Sequence, residues 1–325
     1  MNRTIRTVAA AAALMAGPLF SGAAFAEAPM VKTQAPGYYR HMLGDFEVTA
    51  LLDGTMKLPV LKLLTNARPE QLAAALKRGY LKEQVETSVN AYLINTGSKL
   101  VLIDTGAGGL FGASSVLLDN LRAAGYQPGQ VDEIYVTHMH GDHVGGLMAA
   151  AERAFPNATL RIEKADTDFW LSEAVMNRAP PQVHEFFRGA MKSVNPYVAA
   201  GKLKTFEGET ELLPGVRAIP ARGHTPGHTI YRIESKGETL ILWGDLMHVA
   251  AVQFDNPHVT ITFDIDSKRA AAARRASVRR SGEEGLAGWC FPRVVPRAGA
   301  LAGRAGGQGL HLAAAELFHA EGMTS

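Results

Sequence analysis

Thr137-His138-Met139-His140-Gly141-Asp142-His143-Val144-Gly145-Gly146 is the stretch on which the fold and chemistry of this chain turn. The apolar run Val131 to Thr137 reads as a buried strand that leads straight into it. Three imidazoles and a carboxylate within six residues are nitrogen and oxygen donors of the kind that bind zinc or a similar divalent ion. Alternation along an extended backbone sends His138 and His140 to the same side. The turn then redirects Asp142 and His143 to a neighbouring position, so the loop accommodates two adjacent metals. A polar loop with incidental histidines rarely concentrates ligand types this densely.

Two later segments join this loop. Gly223-His224-Thr225-Pro226-Gly227-His228-Thr229 lies between apolar strands, and Leu242-Trp243-Gly244-Asp245 ends an apolar strand in one carboxylate. Alone, a loop histidine is more often solvated or hydrogen-bonded, and a strand-end aspartate is more often a cap or turn residue. Their order behind the first motif gives them weight. The single cysteine, Cys290, excludes an intramolecular disulfide and a multi-thiolate zinc site, so metal chemistry falls to the eleven histidines and the carboxylates. A competing stretch, Asp104-Thr105-Gly106-Ala107-Gly108-Gly109, follows a strand as a dinucleotide loop would. Counted from Gly106, however, the sixth position is Phe111, so the G-x-G-x-x-G spacing fails and a nicotinamide enzyme is disfavoured.

At 325 residues, 47% hydrophobic and 20% charged, the chain buries a large core without staples, which excludes wholesale disorder and a multi-span membrane protein. Residues 1–26 read as a signal peptide: Arg3 and Arg6, the apolar stretch Val8 to Phe20, and Ala24-Phe25-Ala26 as the cleavage site, with cleavage after Ala26. The apolar run is shorter than the roughly 18 residues of a spanning helix and is broken by Gly17-Pro18. Those two arginines account for the whole net charge of +2. The mature chain is therefore neutral, without the electrostatic motive for a nucleic-acid partner. A periplasmic or secreted protein, free of the membrane after cleavage, is expected.

Strand patterns are predicted over Phe46 to Leu52 (with Asp53-Gly54-Thr55 as its turn), Ala91 to Asn95, Lys99 to Asp104, Thr159 to Glu163, Val216 to Pro220, Thr229 to Glu234 and Thr239 to Trp243. Helical patterns cover Pro69 to Leu76, Ser115 to Ala124, Lys164 to Met176 and Gln182 to Ala200. The mixture predicts an α/β fold with antiparallel and parallel parts.

The three motifs, in this order, resemble those of the metallo-β-lactamase fold superfamily, most closely its methyl parathion hydrolase branch near the quorum-quenching lactonases. Ala35-Pro36-Gly37-Tyr38-Tyr39-Arg40, Asn95-Thr96-Gly97-Ser98-Lys99-Leu100 and Val249-Ala250-Ala251-Val252-Gln253-Phe254-Asp255 support the resemblance, which runs from about Ala35 to Lys268. It implies an αββα sandwich over residues 27–275, with two mixed β-sheets flanked by helices, and a homodimer. It also implies two divalent metal ions, zinc by expectation. His138, His140 and His224 would hold one, Asp142 and His143 the other, and Asp245 would bridge both; Asp142 and Asp245 are thus the catalytic carboxylates. Asp104 would orient a ligand imidazole, and His228 would be structural, fixing its own loop. Phe111, Trp170 and Phe187 would line the substrate pocket, although ordinary core packing explains such aromatics equally well. Two cations a few Å apart bring a bridging water toward deprotonation at neutral pH. The implied reaction is hydrolysis of a neutral small-molecule ester, a phosphotriester of the methyl parathion type, with an N-acyl-homoserine lactone as the alternative. Metal logic alone does not separate P=O from C=O.

The chain departs from this resemblance at its end. Residues 276–325 contain no Lys, Asp, Asn, Ile or Tyr and are rich in Ala, Gly and Arg. The family's Phe-Pro-Gly-(Leu/Ile)-Gly-His segment, whose histidine completes the second metal, is absent. Back-translated and shifted by one base, Val295 to Leu301 can encode Phe-Pro-Gly-Leu-Gly-His-Leu, and the stretch from Gly307 to Leu312 can encode Gly-Lys-Gly-Tyr-Thr-Trp. The expectation is an aberrant, out-of-frame tail, a weakened second metal site and a catalytically impaired chain. His311 and His319 sit in no comparable motif.

Overall fold

The computed structural model describes residues 28–33, 35–109, 115–283 and 300–304. The predicted signal peptide, Phe111, Cys290, His311 and His319 lie outside the described residues. The chain divides into two units, Met1–Ala35 and Pro36–Ser325; the second holds every element below.

β1 (Tyr38–Leu43) turns at Gly44 into β2 (Phe46–Pro59), which runs well past the predicted strand. Asp53-Gly54-Thr55, expected as a turn, lies inside β2, where the register slips between Leu52 and Gly54. The reason is the Asp53 carboxylate: it is buried and accepts from Ala107 N at 2.7 Å, Ser115 Oγ at 2.8 Å and Leu117 N at 3.2 Å. Three donors from a neighbouring loop satisfy it without a turn.

α1 (Val60–Leu63), β3 (Leu64–Thr65) and α2 (Pro69–Arg78) follow, α2 opening on Pro69 as predicted. β4 (Gln84–Asn95) and β5 (Leu100–Ile103) form the predicted hairpin across Thr96-Gly97. Beyond α3 (Leu117–Ala123), β6 (Glu133–Tyr135) pairs parallel with β5 and leads into α4 (Gly141–Val144). The short hairpin of β7 (Met148–Ala149) and β8 (Glu152–Arg153) precedes β9 (Thr159–Glu163). The single helix expected over Lys164 to Met176 is two, α5 (Lys164–Trp170) and α6 (Glu173–Arg178). Ser172 separates them by capping α6, accepting from Val175 N at 3.2 Å. α7 (His184–Ala199) and β10 (Leu203–Phe206) complete the first half.

The second half contains β11 (Thr210–Leu213), β12 (Val216–Pro220), β13 (Thr229–Ser235), β14 (Glu238–Leu242), α8 (Ala250–Gln253), β15 (Thr260–Ile261), α9 (Ser267–Glu283) and β16 (Ala300–Arg304). The compositional break at Ala276 is not an element boundary, because α9 runs through it. Ala and Arg are strong helix formers in any context. β16, within the compositionally distinct stretch 276–325, pairs antiparallel with β14.

The two large sheets have the orders β1-β2-β4-β5-β6-β9-β10 and β11-β12-β13-β14-β16. Alternation along β4 assigns the layers: Tyr92 and Ile94 face the second sheet's Tyr231, Ile233 and Leu240, while Ala91 and Leu93 face the helical layer with Leu121, Phe187 and Val194. Beneath the second sheet, Ile230 and Ile241 pack with Trp243, Leu246 and half-buried Ala273 and Val278 of α9. This is the expected helix–sheet–sheet–helix sandwich. Each fully buried large apolar side chain contributes roughly 1.5–3 kcal/mol to it.

Candidate metal centre

Each polar residue of the centre follows the end of a strand: Asp104 after β5, the His138–His143 loop after β6, Asp166 after β9, His224 after β12 and Asp245 after β14. Asp104 takes the left-handed conformation, φ 60. Its carboxylate accepts from Thr137 N and Thr137 Oγ1, each at 2.8 Å, and faces His143 Nδ1 at 2.8 Å. At Gly244, φ 52, a Cβ would stand 2.9 Å from Thr137 Cβ and 3.0 Å from His228 Nε2, so only glycine lets the Asp245 turn reach the loop.

The motifs meet here. His140 Nδ1 lies 3.1 Å from His138 Nε2 and 3.0 Å from His224 Nε2. Ligand nitrogens about 2.0–2.1 Å from a tetrahedral zinc stand ~3.3 Å apart, so this spacing fits one shared cation. On the other side, His143 Nε2 is 3.2 Å from Asp245 Oδ1 and 3.8 Å from Asp142 Oδ2. Asp245 lies between the two groups, its Oδ2 being 3.5 Å from His224 Nε2. Donor atoms of His138, His143 and Asp245 also fall within 4.8 Å of one another, as do those of His224, Asp245 and His248.

Burial settles the charge on the three-histidine side, and neighbouring carboxylates settle it on the other. It pushes His138 and His224 well below the ordinary imidazole range and His140 down to about 4. The trio is therefore neutral, with lone pairs available. Burial acts the same way on His143, but the carboxylates of Asp245, Asp104 and Asp142 outweigh it and hold this imidazole well above its usual pKa. A cation arriving there displaces that proton.

His228, expected to fix its own loop, also ties the Asp245 turn to it. Burial lowers its pKa to about 3, and Nε2 of the neutral ring accepts from Asp245 N at 3.1 Å. It thus seats the residue between the two half-sites. Three further residues escaped the sequence reading. His248 Nε2 stands 3.0 Å from Asp245 Oδ2, fully buried; its signal was a histidine three residues beyond Asp245 in an apolar run. Asp166 accepts from Met139 N at 2.9 Å and Gly227 N at 2.5 Å, joining the two histidine loops. Asp264 accepts from His224 Nδ1 at 2.9 Å. Neither aspartate had a local signal.

A cavity of about 550 Å³ opens on His140, Asp142 and Asp245. Trp170 and Phe187 line it, 4.7 Å apart between ring centroids, with the Trp170 ring 5.2 Å from that of His140. Both also belong to the core, so pocket and packing are not alternatives for them.

The profile of the metallo-beta-lactamase superfamily matches residues 85–282, past the compositional break. Among solved structures, "hydrolase AbOPH in beta lactamase superfamily" superposes with a TM-score of 0.74 at 36% identity, over 78% of this chain and 89% of that one. AidC, described as a dizinc quorum-quenching lactonase, superposes with a TM-score of 0.70 at 27% identity, over 77% and 87%. An N-acyl homoserine lactonase of Bacillus sp is 26% identical over 174 residues, 47% of this chain and 61% of the relative. The chain thus spans about three-fifths of the length of the curated lactonases it matches. With the profile covering more than half of its residues, and the matched strands and loops carrying the converging histidines, the chain belongs to the metallo-beta-lactamase superfamily.

Proposed function

We propose that this chain is a dinuclear metal-dependent hydrolase of neutral lactones with an apolar arm, of the N-acyl homoserine lactone type. The observation that carries the reading is a cavity walled by Met56, Leu58, Phe169, Trp170 and Phe187 that opens on His140, Asp142 and Asp245. Such a pocket favours an uncharged, apolar substrate and disfavours a phosphodiester. The lactonases among its relatives support the carbonyl reading. A phosphotriester is the second reading, favoured by the neighbouring rings of Trp170 and Phe187, tilted 51° to each other, which offer an aromatic leaving group edges and faces to pack on.

His138, His140 and His224 would hold one divalent ion and Asp142 and His143 the other, with Asp245 between them; zinc is the expected metal. Bound ions supply Lewis acidity, bringing water toward deprotonation and polarising the substrate's C=O or P=O. The chain's own residues prepare that chemistry. Asp104 engages Nδ1 of His143 and so presents Nε2 to the centre. His228 holds the Asp245 backbone. The apolar wall excludes bulk water and orients the substrate's arm.

Zinc-loaded protein assayed with an N-acyl homoserine lactone and a nitrophenyl phosphotriester tests this reading. Lactone turnover is expected to exceed phosphotriester turnover, and the reverse order would favour the second reading. We further propose that the sequence from about Ala276 onward is out of frame and that the protein is exported. Resequencing the gene checks the first: codons for Val295 to Leu301 that cannot encode the family segment in the next frame overturn it. Sequencing the exported protein's N-terminus checks the second, with the residue after Ala26 expected first.

A further inference from the structure

We infer that Asp264 is the positioning residue of the three-histidine half-site, and that Arg274 of α9 holds it in place. The inference rests on reading His224 as a metal ligand. His224 is fully buried, with its two ring nitrogens engaged in opposite directions. Nε2 faces His140 Nδ1 at 3.0 Å and Asp245 Oδ2 at 3.5 Å, while Nδ1 faces Asp264 Oδ1 at 2.9 Å. A carboxylate at Nδ1 holds the proton there, so the lone pair is on Nε2 where a cation would sit, and it raises the basicity of that nitrogen.

Asp264 is itself over-determined. Its Oδ2 accepts from Ile261 N at 3.1 Å, and its own N–H donates to Ile261 O at 3.0 Å. The flanking backbone is registered on the His224 loop: Ile265 N donates to His224 O at 3.1 Å and Asp266 N to Gly223 O at 2.8 Å. Behind it lies Arg274, 0% exposed, with its guanidinium 3.8 Å from Asp264 Oδ2. Arg274 Nε donates to Leu246 O at 2.6 Å, and Nη1 donates to Pro257 O at 3.2 Å and to Val259 O. Leu246 adjoins Asp245. One buried cation on α9 therefore braces both the carboxylate behind His224 and the turn that carries Asp245. A buried carboxylate is costly without a countercharge, and the Arg274 guanidinium supplies one 3.8 Å from Asp264 Oδ2. The arrangement repeats, with different residues, the Asp104–His143 pair on the other side.

Two measurements on Asp264→Asn and Asp264→Ala test this. In metal-free protein, nitrogen NMR of the histidine rings is expected to find the His224 proton on Nδ1 in the parent and no such preference in Asp264→Ala. That readout stands whether or not the metal reading does. In metal binding, followed by metal content and the cobalt(II) electronic spectrum, the tighter equivalent is expected to weaken by about 10–100-fold in Asp264→Ala and by less in Asp264→Asn, the weaker equivalent staying unchanged. Arg274→Met is expected to weaken the same equivalent by a smaller factor. An unchanged tautomer in folded Asp264→Ala, or an unchanged tighter equivalent and spectrum in that variant, overturns the role of Asp264. Arg274→Met matching the parent in both readouts overturns the role of Arg274. A parent protein that binds no metal, yet shows the expected tautomer, overturns the metal reading and leaves the His224–Asp264 pairing standing.

Discussion

On the Oδ2 side of Asp245, His138 and His224 bring Nε2 to 3.1 and 3.0 Å from His140 Nδ1, and all three imidazoles are neutral. On the Oδ1 side, His143 and Asp142 are the only donors the proposed assignment supplies among the described residues, and His143 is held protonated. The first half-site gathers histidines from two loops and is braced by Asp166 and Asp264; the second comes from one loop and is braced by Asp104. The difference teaches that the two halves of the proposed site are not equivalent. A cation in the first half would meet neutral, buried nitrogens, whereas one in the second would compete with the proton on His143 and find fewer donors.

The strongest way to break this comparison is to remove a donor from the richer half. His140→Ala is expected to abolish the tighter metal equivalent and lower kcat/KM by more than ~10²-fold, beyond what loss of a supporting residue costs. Metal analysis and kinetics check it, and a parent protein with two equally tight equivalents would break the comparison outright.

Asp166, which staples the two loops of the richer half, gives the next effect. Burial raises its carboxyl from 3.8 to about 6, so the fold binds a proton that the unfolded chain has released between those values. Its contribution to stability is therefore fully present below pH 3.8 and is lost as pH rises through about 6, a difference on the order of 3 kcal/mol. Denaturant titrations of chelated protein should show this component in the parent and not in Asp166→Asn.

The smallest effect lies on the poorer side. Asp104→Asn is expected to weaken the second equivalent by about 10–100-fold and leave the first unaltered, as competitive metal titration would show. Equal weakening of both would mean that the halves are coupled through Asp245.

Legibility in the sequence followed the range of the interaction. β9 and β12 were readable to the residue, because five residues of alternation state a strand and its buried face. The β2 interior was misread at Asp53, whose partners lie 54 to 64 residues away, and the α5–α6 break turned on one serine cap. α9 was obscured because an Ala- and Arg-rich segment shows no amphipathic period, although it forms a helix.

By itself the sequence determined the kinds of donor, their order and the family: three imidazoles and a carboxylate in one loop, a later histidine pair, and a strand-end aspartate. These are local patterns, written within a few residues of each other. Only the tertiary structure decided which nitrogen faces which. His140 meets His224 across 84 residues, Asp264 meets His224 across 40, and His228 meets the Asp245 backbone across 17. The physical reason is that ring orientation is set by the partner at the second nitrogen. That partner comes from whichever strand end the sandwich brings alongside, and no local spacing records it.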